Sequence, residues 1–282
     1  MIVPAHDESS VIERCLRSLC DSRLPLAIIV SCNGCSDDTA ARARAITPPP
    51  GVAITVLETT TPSKVAAIRA AEDLDPVFPR LYVDADVVVS GAAVSAVVGA
   101  LSAGPVLAAR PPLRYDVTGA SPLVASFYRA RESTPELMSS LWGAGFYAIS
   151  RAGRARWGAL PDGVADDLFV DSRFADHEKV IVGDSPVLVQ TPRTTGSLMR
   201  TLTRVYGTSA ESRPDDEQDL AGATSKSAHT VRAVLRHNGS GLRSRADAAV
   251  YLSLAGAARV QMIVARRRRD RSTRWERDDT SR

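Results

Sequence analysis

The sequence predicts an α/β fold, a mostly parallel sheet flanked by helices with a helical C-terminal extension. Three observations predict it. Over the first 90 residues, short apolar runs rich in β-branched residues alternate with stretches of helical spacing. The segments that follow those apolar runs are polar, glycine-bearing or acidic, as loops at the rim of such a sheet are. With 282 residues, 44% of them hydrophobic, the chain can bury the core of one large α/β domain or two small ones.

In chain order, residues 1–3 read as the end of a strand whose beginning is absent, followed by a loop over 4–9. Val11, Cys15 and Leu19, with Ile12 and Leu16, have helical spacing, and Ser9 or Ser10 is placed to cap that helix. Residues 26–30 form a second strand that runs into the turn Ser31-Cys32-Asn33-Gly34-Cys35-Ser36-Asp37-Asp38-Thr39. A helix over 39–45, a strand over 52–57, a helix over 63–74 with Lys64 in its first turn, and a strand over 81–83 complete the alternation. Val87–Val89 resumes the apolar run of that last strand.

Further on, residues 92–101 read as a small-residue helix, 106–110 as a strand, 111–118 as irregular and 123–131 as helical. A glycine-rich loop, Trp142-Gly143-Ala144-Gly145, enters a strand, and Asp166-Asp167 opens an apolar helical pattern. Residues 179–182 and 186–190 suggest a final hairpin, and 194–206 a helix carrying Arg200 and Arg204 on one face. Residues 213–219 are a charged break. Beyond it come helical segments, an alanine-rich stretch over 246–265, and the basic run Arg266–Arg269.

Composition removes several classes of function. The net charge is +3, and much of it sits in the tail, so a near-neutral body argues against a nucleic-acid-coating protein. Four cysteines, Cys15, Cys20, Cys32 and Cys35, lie early and without a disulfide-dense pattern, which fits a reducing, cytoplasmic compartment. Cys32 and Cys35 have the spacing of half a zinc site or a redox pair, but no second pair follows. The histidines His6, His177, His229 and His237 are scattered. No signal peptide is visible, and no uninterrupted apolar span approaches the length of a membrane helix.

Asp84-Ala85-Asp86 is the stretch with the clearest chemistry. Carboxylates two residues apart on an extended chain point the same way, so Asp84 and Asp86 can converge on one hard cation such as Mg²⁺ or Mn²⁺. The plain alternative is a strand end carrying two solvated acids. A sheet of this kind binds ligands beyond the carboxyl ends of its strands, where the loops at 4–8, 32–38 and 84–86 all open. Asp166-Asp167 has its own plain reading, two acids favoured by a helix N-terminus.

These residues resemble the family-2 glycosyltransferases of the GT-A fold over roughly residues 1–207. Ile2-Val3-Pro4-Ala5-His6-Asp7-Glu8 is similar to the family's first strand and its Pro-x-x-Asn-Glu loop, with Asp7 in place of Asn. Asn33-Gly34-Cys35-Ser36-Asp37-Asp38-Thr39 is similar to its Asn-Gly-Ser-x-Asp-x-Thr turn, and Lys64 with Ala67 and Ala71 to the helix start that follows. Asp84-Ala85-Asp86 stands where the Asp-x-Asp metal motif stands, and Asp166-Asp167 resembles the Glu-Asp pair that supplies the base. Residues 200–207 resemble the Arg-rich motif weakly.

The resemblance implies metal-dependent, inverting transfer of a sugar from a UDP- or GDP-linked donor to a hydroxyl acceptor, in which a lipid-linked acceptor has a place. It implies Asp86 and Asp84 as ligands of Mn²⁺ or Mg²⁺, and Asp167 as base, with Asp166 as alternative base or orienting partner. Pro4, Ala5, Asp7, Glu8, Asn33, Asp37, Lys64, Asp84 and Ala85 would line the donor site. Gly143 and Gly145 would let backbone approach the sugar, and Arg200 and Arg204 would bind phosphate. It also implies a nucleotide-binding half over 1–90 and an acceptor half over 91–207; past the resemblance, the residues themselves suggest a helical extension over 208–265 and a disordered basic tail over 266–282. Cys32 stands where many members have an acid that meets the base, and Val205-Tyr206 follows Arg204 where Gln and Trp are usual. Polymer synthases of the family carry several membrane helices, so a single transfer is the expectation. Residues 246–265 are expected to dock on the domain or, with the basic run, to lie on anionic lipid at the inner face of the plasma membrane. Competing readings are a nucleotidyltransferase, a retaining transferase and a catalytically silent sugar-nucleotide-binding protein.

Overall fold

The computed structural model describes residues 1–22, 24–74, 77–211, 230–238 and 241–267. They divide into two compact units, Met1–Arg114 with Leu141–Val189, and Tyr115–Ser140 with Gln190–Arg282.

The first unit begins with the expected alternation: β1 (Ile2–Ala5), α1 (Ile12–Cys20), β2 (Leu26–Asn33), α2 (Thr39–Ala45), β3 (Val52–Thr59), α3 (Lys64–Leu74), β4 (Arg80–Val83) and α4 (Gly91–Ala103). It continues through β5 (Ala108–Arg110) and into β6 (Leu113–Asp116). After the segment that belongs to the second unit, it resumes with β7 (Phe146–Ile149), α7 (Arg151–Arg154), α8 (Asp166–Asp171), β8 (Lys179–Ile181) and β9 (Val187–Gln190). Seven strands form one sheet in the order β3-β2-β1-β4-β7-β5-β8. Only β7 runs antiparallel to its neighbours, so the sheet is mostly parallel, as the alternation implied.

Period-two alternation sorts the strand residues onto two apolar layers. Val3, Leu81, Val83, Phe146 and Ala148 face Ile12, Leu16, Leu19, Val94 and Val97 of α1 and α4. Ile2, Tyr82, Tyr147 and Ile149 face Val65 and Ile68 of α3 and Phe169 and Val170 of α8. The sheet is therefore covered on both faces, and its strands read as near-continuous apolar runs for that reason.

Three local expectations are corrected. Residues 87–89 do not extend β4: the Val87 N–H donates to the Asp84 carbonyl at 3.0 Å, closing a turn, and Val87 and Val89 are buried as anchors of the following loop. Residues 111–118 are not irregular, because β6 forms there against β9. Residues 179–190 make no hairpin. β8 runs parallel to β5, whereas β9 joins β6 in a separate two-stranded sheet. The Val182 N–H reaches Arg110 O at 2.9 Å and the Val187 N–H reaches Pro112 O at 2.8 Å, so both strands follow the 108–116 segment rather than each other. Left-handed Gly183, φ +92°, redirects the chain between them.

The second unit is helical: α5 (Pro122–Glu132), α6 (Pro135–Met138), α9 (Thr195–Glu211), α10 (residues 230–237) and α11 (Leu242–Arg267). Val124 and Phe127 of α5, Leu198 of α9, Val234 of α10 and Ala248, Tyr251 and Ala255 of α11 share one core. Asp247 of α11 is buried because Arg129 of α5 pairs with both its oxygens, at 2.9 and 2.7 Å, and Ser126 donates a further hydrogen bond. The expectation that no apolar span nears membrane length is also corrected, since residues Leu242–Val264 are long and apolar enough by length and composition. Leu252, Leu254, Val260, Ile263 and Val264 contribute most of this apolar character, and one side of the helix is core of this unit. The charged break over 213–219, His229 and the chain beyond residue 267 lie outside the described residues.

Candidate active site

The end of β4 delivers Asp84 to the rim of the sheet. Antiparallel pairing with β7 brings the 143–145 loop beside it, and the Asp84 N–H donates to Gly145 O at 2.8 Å. Gly145 has φ +63°, and a Cβ there would stand 2.5 Å from Val87 Cγ2 and 3.2 Å from Asp84 Oδ2. Only glycine fits that approach. The α1 helix holds the turn from the other side: Cys15 Sγ lies 3.7 Å from Asp84 O, and Ser18 Oγ accepts the Val89 N–H at 3.2 Å. Asp84 and Asp86 therefore do not project from an extended strand, as their spacing suggested; they flank a turn in which Ala85 is buried and Asp86 exposed.

Lys64, in the first turn of α3, joins this turn to the start of α8. Its Nζ lies 2.7 Å from Asp84 Oδ1 and 2.8 Å from Asp166 Oδ1. Asp166 is 4% exposed, and the Tyr147 hydroxyl donates to its Oδ2 at 3.0 Å. The Asp167 carboxylate accepts the Gly143 N–H at 2.9 Å and the Leu168 N–H at 2.8 Å. One turn on, Asp171 accepts the Leu141 N–H at 2.8 Å and pairs with Lys179 at 3.0 Å, which ties the glycine loop to α8.

Three acids around one ammonium leave an excess of negative charge, and burial magnifies it. Burial works to lower the Lys64 pKa, but Asp166 and Asp84 outweigh it and hold the ammonium well above its ordinary value. Burial raises the Asp84 carboxyl, and Asp166 and Asp86 raise it further against the pull of Lys64. Asp167 is raised by burial and by Asp166, with Lys64 and the two N–H donors opposing.

The corner between β1 and β2 is built differently. Pro4 and Ala5 end β1 and do not open the loop as expected; Asn33, fully buried at the end of β2, donates from Nδ2 to Ala5 O at 2.8 Å, and His6 Nδ1 meets Asn33 O at 2.6 Å, which ties the two strand ends together. Asp7 takes φ +52°, a left-handed value unusual outside glycine, and its carboxylate accepts the Ser36 and Asp37 N–H groups at 2.7 and 3.2 Å. Asp37 accepts from the Thr39 and Ser9 N–H groups at 3.0 and 3.1 Å and from the Thr39 hydroxyl. The Ser36 N–H lowers Asp7 first. Burial opposes a downward shift at Asp37, yet its hydrogen bonds pull it down to about 2. The Glu8 N–H meets Thr39 Oγ1 at 2.7 Å, and its side chain is buried beneath the loop. Asp7, Cys35 and Asp37 bring one potential ligand atom each within 4.8 Å of one another, but both carboxylates are already accepting backbone N–H groups.

The structure thus brings together Lys64, Asp84, Asp166, Asp167, Gly143 and Gly145, and separately Pro4, Ala5, Asp7, Asn33 and Asp37. Arg200 and Arg204 are exposed on α9 of the second unit, and Arg200 Nη2 donates to Ser197 Oγ at 2.9 Å. Tyr147 carries no site motif in the sequence; its local signal is that a period-two strand sets it on the face opposite Phe146 and Ala148. Asp84 and exposed Asp86 offer hard carboxylate oxygens in the same turn, a donor set that suits Mg²⁺ or Mn²⁺.

A sequence model of the glycosyltransferase-like family 2 matches residues 1–141, half of the chain. No curated protein matches. Among solved structures, glucosyl-3-phosphoglycerate synthase from Mycobacterium tuberculosis is similar in its complex with Mn²⁺, uridine-diphosphate-glucose and glycerol 3-phosphate. The identity is 20%, over 90% of this chain and 79% of that chain, with a TM-score of 0.43. The same enzyme with phosphoglyceric acid aligns at 21% identity over 90% of this chain and 78% of that chain, with a TM-score of 0.46. Residues 1–349 of S. aureus TarS align at 12% identity over 92% of this chain and 90% of that chain, with a TM-score of 0.48.

Proposed function

The chain belongs to the glycosyltransferase-like family 2, and on that premise we propose that it performs a single, inverting transfer of a sugar from a nucleotide-diphosphate sugar to a hydroxyl acceptor. The observation that carries this reading is the Lys64 bridge, which sets the Asp84 turn and the α8 acids around one point at the rim of the sheet. Asp167 is the base. Its carboxylate is oriented by two backbone N–H donors, and burial beside Asp166 raises its proton affinity, as an acceptor for a hydroxyl proton requires. It takes the acceptor proton as that oxygen attacks the anomeric carbon, and the nucleoside diphosphate departs on the opposite face.

Asp84 and Asp86 would hold the divalent cation, which when bound supplies positive charge for the diphosphate leaving group. Lys64 adds a fixed positive charge beside them, and Gly145 keeps the floor of the site at backbone level. Pro4, Ala5, Asp7, Glu8, Asn33 and Asp37, at the ends of β1 and β2 and in the loops beyond them, form the nucleoside side, UDP- or GDP-selective. Arg200 and Arg204, on α9 of the second unit, bind phosphate of donor or acceptor in this reading. In this reading residues 1–90 serve the donor and 91–207 the acceptor.

The deciding experiment is turnover of candidate UDP- and GDP-sugars by the wild type and Asp167→Asn, with the anomeric configuration of the product read by NMR. General-base assistance contributes about 10²–10⁴-fold, so kcat should fall by that order while Mn²⁺-dependent nucleotide binding persists. Turnover unchanged in the variant would remove Asp167 as base, and a retained configuration would replace the inverting mechanism.

The four cysteines are free, as a reducing cytoplasm keeps them. The acceptor is lipid-linked in this reading, and the enzyme sits peripherally at the inner membrane face through the outer side of α11. Leu242 is 86% exposed and Val260 61% exposed, with Ile263 and Val264 beside Val260 and the basic run following in sequence. The protein should float with vesicles containing anionic lipid and not with zwitterionic ones. Val260→Asp with Ile263→Asp should abolish the association, and wild type that stays in the soluble fraction on both would end this part of the reading.

A further inference from the structure

Asp166 and Asp167 are chain neighbours held by different devices. Among the described residues Asp167 is oriented by backbone, through the Gly143 and Leu168 N–H groups. Asp166 depends on two side chains, Lys64 at 2.8 Å on Oδ1 and Tyr147 at 3.0 Å on Oδ2. Tyr147 is 3% exposed in the middle of β7 and lies directly across from Tyr82 of β4, with the two rings stacked at 4.7 Å and 14°. The Tyr82 hydroxyl points elsewhere, to Glu72, which Arg154 grips at 2.8 Å through both Nε and Nη2. The Tyr147 ring is thus clamped by a neighbour that is itself anchored, while its hydroxyl reaches the buried acid. Burial and the Asp166 charge keep that hydroxyl protonated far beyond neutral pH, so it remains a donor.

We propose that Tyr147 is a positioning residue for sugar transfer, its hydroxyl fixing the Asp166 carboxylate and, through it, the Lys64 ammonium between α8 and Asp84. The role presupposes the reading of this site as the transfer centre. Without the Tyr147 donor, Asp166 Oδ2 loses its hydrogen bond in a buried site, and Asp166 is free to turn about its χ angles. Lys64 then has one fixed partner in place of two. The expected consequence is a misplaced charge beside the reacting atoms, not a lost contact to substrate, so kcat suffers and donor KM does not.

Tyr147→Phe keeps the ring, its volume and its stack on Tyr82, and removes only the hydroxyl. The chain has three lysines, Lys64, Lys179 and Lys226, so selective ¹⁵N-lysine labelling resolves the Lys64 ammonium, assigned against Lys64→Gln. In wild type its protons should exchange slowly with water. In Tyr147→Phe they should exchange about tenfold faster or more, since a hydrogen bond to a charged group is at stake. Turnover number should fall about 10–100-fold with donor KM held within about threefold. Tyr82→Phe removes a hydroxyl from the same stack without touching Asp166, and should leave both readouts at wild-type values whatever it does to thermal stability. Unchanged exchange and unchanged kcat in Tyr147→Phe would overturn the role. Wild type that transfers no sugar would end the reading of the site, and the exchange rates alone would then decide the positioning. Should the variant fail to fold, the wild-type Tyr147 hydroxyl proton decides it: slow exchange with solvent supports the contact, and exchange at the free rate overturns it.

Discussion

The two acidic corners at the rim of the sheet put the same residue type to opposite use. In the corner between β1 and β2, Asp7 accepts backbone N–H groups from the loop after β2 and Asp37 accepts them from both loops, and their proton affinity is lowered. In the corner formed by β4 and α8, Asp84 and Asp167 crowd with Asp166 around one lysine, and theirs is raised. An acid whose lone pairs are met by fixed N–H donors stabilises the fold in its charged form. Acids pressed together under burial destabilise their charged forms, and such strain persists where a ligand or a reacting group relieves it. The first corner is built to shape a loop, the second to hold unbalanced charge.

The largest expected effect separates stability from activity at the second corner. Asp84→Asn leaves Lys64 paired to Asp166 and relieves repulsion, so the unfolding free energy should stay within about 0.5 kcal/mol of wild type or rise. Sugar transfer should nevertheless drop by about 10²–10³-fold, and Mn²⁺-dependent UDP or GDP binding, followed by calorimetry, should weaken with it. A strongly destabilised variant would erase the contrast. At the first corner Asp37→Ala should cost about 1 kcal/mol in urea unfolding, a modest figure because the carboxylate is exposed and water competes for it. A neutral Asp37→Ala would mean that the turn holds without its acid.

The smallest effect is in the pH dependence, where the two corners should slope in opposite directions. Asp37 has a lowered folded pKa, so its contribution is fully present above the ordinary carboxylate value of about 3.9 and is lost as pH falls through about 2. Asp84 has a raised folded pKa. The folded protein holds that proton more tightly than the unfolded chain, so wild type should lose stability relative to Asp84→Asn as pH climbs above the ordinary carboxylate range. Urea midpoints of wild type and each variant across that range test both signs, and equal slopes would unify the corners that the hydrogen bonds distinguish.

Local periodicity carried much of this in advance. The strands and helices from β1 to α4 follow the apolar alternation closely, and Asp166-Asp167 opens α8 as the sequence pattern said, because these features depend on residues within one or two turns of each other. The glycine requirement at Gly145 was visible as glycine in a loop, though not its cause, the side chain of Val87 and the carboxylate of Asp84. What failed was pairing. Residues 179–190 looked like a hairpin because two short strands lay close in sequence, but each found its partner in the 108–116 segment, which local spacing does not record. The turn at Asp84-Ala85-Asp86 failed for a similar reason: α1 holds it through Cys15 and Ser18, far upstream in the chain.

The sequence by itself determined the alternating α/β order, the acids at the strand ends and the family they resemble, since these are written in composition and short-range spacing. Only the tertiary structure decided that Lys64 bridges Asp84 to Asp166, that the Tyr147 hydroxyl meets Asp166, and that Asp7 and Asp37 tie the loops after β1 and β2 to each other. The physical reason is that charge and hydrogen-bond partners are chosen across the sheet by strand register and helix docking, and each such choice joins residues far apart along the chain.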